Sequence, residues 1–327
     1  MNPSFKVIIK GRLAFGTQKS YDMMIEQYRR RLEQYYKNDI ILKTDDHLID
    51  EERAIDLPRT TLLIMSEKSW KNTINLFNEL RTYAVAGIMY IWVLDGEGKQ
   101  LLHEAIIMPQ GDKYATSEYN RGVSFLSKPG KELQAIECFN KAIDKYEGYE
   151  QAYERRGVAY HRLGNLDEAI MDFTKSLSLN INPDAYLGLA IVKRSLGDLV
   201  GALEYLELTI KNSVPYQPVF WAARRIKGEC HLELSQLEEA IFELKLVTKR
   251  PFKSTDPNYA HRRKAWETYA ITLEKAGKRT EADAAFRAAK TTELTHEVSI
   301  NTALIINSVN DIPKPVKNVR KQKMAMA

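Results

Sequence analysis

The chain has 327 residues, of which 28% are charged and 44% are hydrophobic, and its formal net charge is +5. The length allows two domains, and the composition is typical of a globular protein, which excludes fibrous and low-complexity classes. The charge is uneven, since residues 1–112 sum to −1, residues 113–310 to +2 and residues 311–327 to +4. The basic excess therefore lies in a C-terminal tail, and neither larger region has the balance of a dedicated nucleic-acid-binding domain.

We recognise neither a targeting segment nor a catalytic motif in the sequence. Its first residues lack an apolar run with a cleavage site, and the longest near-apolar stretch, Ala84 to Leu94, is too short to span a bilayer. Cys138 and Cys230 have neither disulfide nor metal spacing. Phosphate-binding, metal-ligating and nucleophile motifs are missing from the sequence. We therefore expect a cytoplasmic, non-enzymatic protein that has no cofactor, no metal and no membrane contact.

Residues 1–112 alternate between strand and helix patterns. The predicted order is strand Phe5 to Ile9, helix Thr17 to Tyr36, strands Ile40 to Leu42 and Thr61 to Met65, a helix capped by Ser66, and strands Ile88 to Leu94 and Leu101 to Met108. Asp95-Gly96-Glu97-Gly98 predicts a hairpin turn between the last two strands. The segment from Thr44 to Pro58 stays open between a loop and an extra strand around Ile55. Two helices against one mixed sheet predict a ferredoxin-like α+β sandwich.

From residue 113 onward a short phrase recurs. Its second copy reads Tyr153-x-x-Arg156-Gly157-x-x-Tyr160-x-x-x-Gly164-x-x-x-x-Ala169-x-x-x-Phe173. The small residue in the second half of each copy falls at positions 135, 169, 202, 240 and 282, so the steps are 34, 33, 38 and 42 residues. Each copy predicts two amphipathic helices, which for the second copy are Glu150 to Leu163 and Leu166 to Leu179. A period near 34 residues predicts a helical solenoid, an architecture that usually binds rather than catalyses.

These motifs resemble the tetratricopeptide repeat family over about residues 113–290. The fourth copy departs from the pattern, because Ser235 replaces the turn glycine and Lys227 replaces the usual leucine. Proline-rich insertions, 212–218 and 249–253, lengthen the last two junctions. The resemblance implies an all-α array of about five helix pairs. Residues 291–310 are expected to form a capping or contact helix, and residues 311–327 a flexible basic tail.

The resemblance also implies a protein-binding groove on the concave surface, lined by the first helix of each repeat. Its expected residues are Thr116, Tyr119, Val123, Gln151, Glu154, Val158, Asp184, Leu187, Ile191, Ala222, Arg225, Glu229, Lys264, Glu267 and Ile271. Apolar patches flanked by mixed charges suit a helix or an extended peptide of a protein partner. The paired lysines and asparagines with which some family members grip chaperone C-termini are missing. The alternative is that some of these side chains pack against a neighbouring subunit or against the chain's own terminal helix.

Two basic clusters are candidate contacts for nucleic acid or an acidic partner. They are Arg29, Arg30 and Arg31, interleaved with tyrosines, and the tail residues Lys317, Arg320, Lys321 and Lys323. A solvated helix face, paired with Glu26 and Glu33, and a disordered end are the alternatives. The acidic segment Asp45-Asp46-His47 is expected to be a solvated loop rather than a metal site.

The preferred hypothesis is a scaffold or adaptor whose groove binds a protein partner of unknown identity. The N-terminal domain would provide self-association or a second contact. One alternative is that the protein is a structural subunit of a large multiprotein assembly or of a homo-oligomer. Another is a nucleic-acid-associated regulator that uses the basic tail and an N-terminal sheet on which Tyr90 and Trp92 share one face.

Overall fold

A computed structural model describes residues 4–37, 39–41 and 47–292. By the density of its contacts the chain divides into two compact units. One holds the described residues up to Gly122 together with Glu137–Ala152, and the other holds Val123–Ile136 and the described residues from Tyr153 onward. No helix among the described residues has both the length and the apolar character that crossing a bilayer requires.

The N-terminal part is an antiparallel sheet with two helices. The strands are β1 (Phe5–Ala14), β2 (Leu48–Ile49), β3 (Ala54–Ile64), β4 (Ala86–Asp95) and β5 (Leu101–Ile107), and the helices are α1 (Gln18–Arg30) and α2 (Glu67–Leu80). The strand order is β2-β3-β1-β4-β5. Every described pairing is antiparallel, so the expectation of a mixed sheet is wrong.

One face of the sheet forms the core of this part. On the central strands β1 and β4, Val7 pairs with Val93 and Ile9 with Ile91, and all four side chains are buried. Alternation places them on the same face, where they pack with α1 and α2. The buried side chains of the two helices are Tyr21, Met24, Tyr28, Trp70, Thr73, Ile74, Leu76, Phe77 and Leu80. The burial of each large apolar side chain stabilises the fold by roughly 1.5–3 kcal/mol.

Two predicted elements differ from the observed ones. Ile40 and Ile41 lie in a bend rather than a strand, and Leu42 lies outside the described residues. The extra strand that the sequence left open is real, because β3 starts at Ala54 and includes Pro58. Proline lacks the N–H that a sheet ladder needs. The β1–β3 register shifts between Ile9 and Gly11, and this irregularity places Pro58 outside the regular ladder.

The predicted helix from Thr17 to Tyr36 changes geometry partway. The α-helix ends at Arg30, and Arg31–Tyr35 form a π-helical turn. Both helix starts are capped as the sequence suggests for Ser66. The Thr17 hydroxyl accepts a hydrogen bond from the Ser20 N–H at 3.1 Å, and the Ser66 hydroxyl accepts one from the Ser69 N–H at 3.2 Å.

Ten further helices follow within the described residues, in five consecutive pairs. They are α3 (Lys113–Leu126), α4 (Glu132–Lys145), α5 (Glu150–Arg162), α6 (Leu166–Leu179), α7 (Pro183–Ser195), α8 (Leu199–Asn212), α9 (Pro218–Glu233), α10 (Leu237–Lys249), α11 (Arg262–Lys275) and α12 (Arg279–Thr291). The helical repeat expected from the recurring phrase is confirmed. The predicted terminal helix and basic tail lie outside the described residues from position 293 onward.

Each helix pair turns at a residue in the left-handed backbone region. Gly164, Gly197 and Gly277 have φ values of +81°, +81° and +76° at these turns. Ser235 occupies the equivalent place in α9–α10 with φ +60°. The left-handed conformation costs little for glycine and about 1 kcal/mol for a residue with a Cβ atom. The fourth pair therefore keeps the turn that the repeat requires and bears its conformational cost.

The small residues of the repeat make room for the ring of Phe173. A Cβ atom on Gly157 would lie 3.0 Å from this ring, and one on Gly188 would lie 2.4 Å from it. Phe173 on α6 thus fills the space between its own first helix and the first helix of the next pair. The stacking of neighbouring pairs therefore depends on Gly188 as well as on Gly157, which the sequence pattern had identified.

Candidate partner-binding face

The candidate groove residues lie on the first helices of the pairs. The first helices α5, α7, α9 and α11 carry small residues of their own, which are Gly157, Ala190, Gly228 and Ala270. We call the positions one residue after, and three and six residues before, each of these small residues the first-helix face. Within the second compact unit its members are Glu154, Val158, Asp184, Leu187, Ile191, Ala222, Arg225, Glu229, Lys264, Glu267 and Ile271. Helical periodicity places these positions on one side of each helix.

Most of the first-helix face is buried. From α5 to α9 the exposed fraction is 2% for Glu154, 0% for Leu187 and 1% for Arg225, and Val158, Ile191 and Glu229 are also buried. On α11 the face opens, because Lys264 is exposed and Ile271 is 41% exposed. An open groove along the whole array would expose these side chains throughout. The burial favours the sequence alternative in which part of the face packs within the protein.

Three expected groove residues, Thr116, Tyr119 and Gln151, belong to the compact unit that contains the sheet. Tyr119 is buried and stacks on Tyr149, with 5.0 Å between the ring centroids. The Gln151 side-chain oxygen accepts a hydrogen bond from the Gly87 N–H of β4 at 3.2 Å. Val123 and Thr116 are half-buried. Tyr119 and Gln151 therefore have a packing role that the repeat phase does not reveal.

A buried charge cluster occupies the face on α9. Arg225 Nη1 donates to Glu229 Oε1 at 2.8 Å, and Arg194 Nη1 donates to Glu229 Oε2 at 2.7 Å. Although burial alone would raise it, the pKa of Glu229 is lowered to about 2 by Arg225 and Arg194. Glu229 is therefore ionised at neutral pH. Within the described part of the chain, Arg225 Nε and Nη2 are buried and have no hydrogen-bond partner, so this cation is incompletely satisfied there.

Glu154 on α5 is in the opposite electrostatic state. Burial raises its pKa to about 8, with a further contribution from Asp184, and Arg155 acts against this shift. Arg155 Nε lies 2.9 Å from Glu154 Oε2, whereas Glu154 Oε1 is buried and has no hydrogen-bond partner among the residues that the structure describes. One neighbouring cation does not compensate for the complete desolvation of this carboxyl group. Glu154 is therefore largely protonated at neutral pH.

Sequence reasoning missed a pair of charged side chains that recurs between the two helices of a repeat. In the second repeat Arg156 makes two 2.7 Å hydrogen bonds to Asp172, and in the fourth Lys227 donates to Glu243 at 2.7 Å. Each pair is separated by 16 residues along the chain. The basic residue of each pair directly precedes the small glycine of the first helix. An acidic residue 16 positions after it is therefore the sequence signal that could have identified the pair.

The arginine run of the N-terminal part does not form a single basic surface. Arg29 and Arg30 are exposed on the last turn of α1, whereas Arg31 begins the π-helical turn and pairs with Glu79 of α2 at 3.3 Å. Among the interleaved tyrosines, Tyr28 and Tyr36 are buried and Tyr35 is exposed. The described residues therefore bring two arginines and one aromatic ring to this surface.

The other nucleic-acid candidates contribute little exposed chemistry. Trp92 is fully buried, stacks on Tyr90 with 5.4 Å between ring centroids, and donates from Nε1 to Glu104 at 2.8 Å. Its ring is thus occupied by packing. Asp45, Asp46 and the four basic tail residues Lys317, Arg320, Lys321 and Lys323 lie outside the described residues. Within the described part no group of three or more metal-ligating side chains comes together.

Models of the tetratricopeptide repeat match the chain at residues 150–180 and 187–253. The first match covers α5 and α6, and the second covers most of α7 through α10. Tetratricopeptide repeats are therefore present in the helical part of this chain. The outer pairs, α3–α4 and α11–α12, continue the tetratricopeptide helix-pair pattern on either side of the matched residues.

Several solved structures are similar to the tetratricopeptide part. MamA is 19% identical with a TM-score of 0.44, and the match covers 55% of this chain and 92% of MamA. YrrB, described as a TPR protein with an unusual peptide-binding site, is 21% identical with a TM-score of 0.41 over 61% of this chain and 94% of YrrB. PilF of Pseudomonas aeruginosa is 13% identical with a TM-score of 0.49 over 57% and 79%. No curated protein sequence matches the chain.

Proposed function

We propose that this protein is a non-enzymatic scaffold whose tetratricopeptide array binds a protein partner. The observation that carries the proposal is the array itself, because tetratricopeptide repeats are generally protein-interaction modules. Helix pairs that stack side by side offer an extended surface whose chemistry changes from pair to pair. The working organisation is an N-terminal domain of residues 1–112, the array of residues 113–290, an end helix at 291–310 and a tail at 311–327.

The partner contacts start at the open end of the first-helix face. Lys264, Glu267 and Ile271 present a cation, an anion and an exposed apolar side chain along α11. This combination suits one face of an amphipathic helix or an extended peptide. The buried members of the first-helix face, from Glu154 to Glu229, contact a partner only where it displaces the side chains that pack on them. Arg225 and Glu154 are poor first targets for mutation, because charge reversal at a fully buried site disrupts folding.

Matched exposed positions test the face without disturbing the core. Ile271→Asp and Lys264→Glu change the first-helix face, and Phe242→Asp and Lys245→Glu make the same changes on the second helix α10. Phe242 is 60% exposed and Lys245 is exposed as well. We expect affinity capture from the native cell, read by mass spectrometry, to lose partners with the α11 variants and keep them with the α10 variants. Equal capture by both sets would reject the face as the binding surface.

For the N-terminal domain we propose a ferredoxin-like sandwich that self-associates. The strand order β2-β3-β1-β4, with α1 and α2 packed on one face, supports the fold, and β5 extends the sheet beyond β4. β5 is an edge strand of the described sheet on which Leu102 and Ile106 are exposed. An apolar edge strand offers backbone groups for pairing with another strand.

Light scattering with edge variants tests self-association. Ile106→Lys places a charge on the exposed edge, and the matched control Leu133→Lys places one on α4, where Leu133 is also highly exposed. We expect the wild-type protein and the control to be oligomeric at high concentration and Ile106→Lys to be monomeric. A monomeric wild-type protein would contradict the proposal.

A further inference from the structure

The insertion between α10 and α11 encloses a cavity. The cavity has a volume of about 300 Å³, and its lining includes Val247, Arg250, Phe252, Arg262 and Trp266. Two aromatic rings and an aliphatic side chain provide apolar walls, and two guanidinium groups provide the polar contacts. Sites of this size with few polar groups on apolar walls are typical of ligand pockets. The insertion also produces the 42-residue step in the repeat, so the irregular spacing and the cavity have the same origin.

The walls of the cavity are held in place by contacts of the insertion. Asp256 caps the short 3₁₀ turn Pro257–His261, since its carboxylate accepts from the Asn258 N–H at 2.8 Å. The Asn258 amide donates to the Pro218 carbonyl oxygen of α9 at 3.0 Å. Phe252 packs edge-on against Trp221 with 6.0 Å between ring centroids. The cavity is therefore a fixed feature rather than a gap in a loose loop.

The charge around the cavity is strongly one-sided. Between positions 249 and 264 the chain carries six basic residues and one acidic residue, Asp256. The Asp256 carboxylate accepts the Asn258 N–H of the cap and forms no ion pair with either arginine of the cavity among the described residues. The net charge of the whole array does not reveal this local excess of basic residues, because basic and acidic residues are nearly balanced in the remaining repeats.

Neither arginine of the cavity forms an ion pair among the described residues. Arg250 lies over the Trp221 ring at 5.1 Å, and its Nε is buried without a hydrogen-bond partner. Arg262 lies over the Tyr259 ring at 3.2 Å and donates from Nε to the Tyr259 carbonyl oxygen at 2.9 Å. By contrast, Arg156, Arg194 and Arg224 of the array are all paired with carboxylates. Both guanidinium groups thus lie over aromatic rings, and within the described part of the chain neither is neutralised by a carboxylate.

We propose that this cavity binds a carboxylate side chain of an acidic partner peptide, with a neighbouring apolar side chain of that peptide between Phe252 and Trp266. Arginine recognises a carboxylate through parallel N–H donors, and a dry apolar wall strengthens that contact. A cavity of this size holds a side chain or two, whereas nucleic-acid surfaces are extended and follow a phosphate backbone. The site is separate from the first-helix face, so its test does not depend on the proposed function.

Fluorescence anisotropy with the full-length protein tests the site. The probe is a fluorescein-labelled octapeptide of alternating glutamate and leucine, and the control peptide has glutamine in place of glutamate. The variants are Arg250→Gln and Arg262→Gln, and the matched control is Arg287→Gln, which removes an exposed arginine from α12. We expect each cavity variant to weaken probe binding at least tenfold, the control variant to bind as the wild type does, and the glutamine peptide to bind at least tenfold more weakly.

Four outcomes would overturn the proposal. The first is equal binding of both peptides, and the second is equal binding by Arg250→Gln, Arg262→Gln and Arg287→Gln. The third is displacement of the probe by single-stranded oligouridine at a lower concentration than by unlabelled peptide. The fourth is a tenfold gain in affinity for Glu293→Gln. The last would show that the chain's own Glu293, which follows the cavity-lining Thr292, occupies the site. Unchanged circular dichroism and melting temperature of the arginine variants would establish that a loss of binding is local.

Discussion

The second and fourth repeats build the same helix pair from different side chains. The second uses Gly157 and the ring of Phe173, whereas the fourth uses Gly228 and Leu244, where an added Cβ atom would lie 2.7 Å from the leucine side chain. In both, a missing side chain on the first helix makes room for a large one on the second. The repeat therefore specifies complementary volumes rather than particular residues, since close packing of any well-fitting pair stabilises the contact.

The charged pairs extend this comparison. In the second repeat Asp172 balances one cation, Arg156, whereas in the fourth Glu243 contacts Lys227 at 2.7 Å and Arg224 at 2.6 Å. Both carboxylates are nearly inaccessible, with side-chain exposures of 7% and 4%. A buried ion pair adds little net stability over an apolar pair, but the loss of one partner strands the other charge. The fourth repeat therefore places two cations on one buried carboxylate, Glu243, although Lys227 keeps a second partner in Glu207 at 2.5 Å.

The largest expected effect is the loss of that carboxylate. We expect Glu243→Gln to lower the free energy of unfolding by about 3–5 kcal/mol, and Asp172→Asn by less, because Glu243 contacts two cations and Asp172 contacts one. Urea unfolding followed by circular dichroism measures both. Glu239→Gln, at an exposed position of α10, is the matched control and should change stability by about 0.5 kcal/mol or less. A larger loss for Asp172→Asn would reverse the comparison.

The next effect distinguishes the two buried glutamates by pH. Glu154 has a folded-state pKa of about 8 against an ordinary value of 4.5, so its folded form retains a proton that the unfolded chain releases. Stability from this group is complete below pH 4.5 and is lost as the pH rises to about 8. We expect Glu154→Gln to remove this loss, which gives an advantage over wild type on the order of 5 kcal/mol at pH 9 and little at pH 4.

Glu229 should show the opposite slope. Its folded-state pKa is about 2, so its contribution is complete above pH 4.5 and is lost as the pH falls towards 2. We expect Glu229→Gln to be less stable than wild type at pH 7, with the difference shrinking in acid. Chemical unfolding of both variants from pH 3 to pH 9 checks the pair of slopes. If the free energy of unfolding of the two variants changed with pH in parallel, the cations around Glu154 and Glu229 would not shift the two pKa values in opposite directions.

The smallest effect concerns the turn of the fourth repeat. Ser235 has the left-handed backbone that Gly164 and Gly197 adopt without strain. We expect Ser235→Gly to raise the free energy of unfolding by up to about 1 kcal/mol, and Gly197→Ser to lower it by a similar amount, since glycine carries no Cβ penalty in that region. Thermal unfolding of the two single variants measures the difference. A destabilised Ser235→Gly would mean that the serine side chain contributes more than its backbone costs.

The sequence predicted the helix pairs well because their signals are local. The helices predicted for the second repeat, Glu150 to Leu163 and Leu166 to Leu179, agree with α5 and α6 to within one residue. In the N-terminal part the central strands and both helices were also recognisable. The strand through Pro58 was not, because the residue pattern there is polar and the bulge opposite β1 is a property of the pairing rather than of the strand.

The candidate site was less accessible to sequence reasoning. Repeat phase assigned Leu187 and Arg225 to one face of their helices, yet it did not show that both are buried. The charge of residues 113–310 concealed the basic insertion at positions 249–264, because paired charges elsewhere in the array dominate the sum. The exposure of a side chain and the pairing of its charge depend on which helices and strands pack together. The position of a residue within the repeat does not contain that information.

By itself the sequence determined the array: the spacing of glycine, alanine and aromatic residues requires paired helices, because only small residues allow their axes to approach. The tertiary structure decided the electrostatics of that array. Glu154 and Glu229 are the same residue type on the same face, and their pKa values lie on opposite sides of the ordinary value. The difference arises from how many cations surround each buried carboxyl group: Glu154 has its chain neighbour Arg155, whereas Glu229 has Arg225 of its own helix and Arg194 of α7.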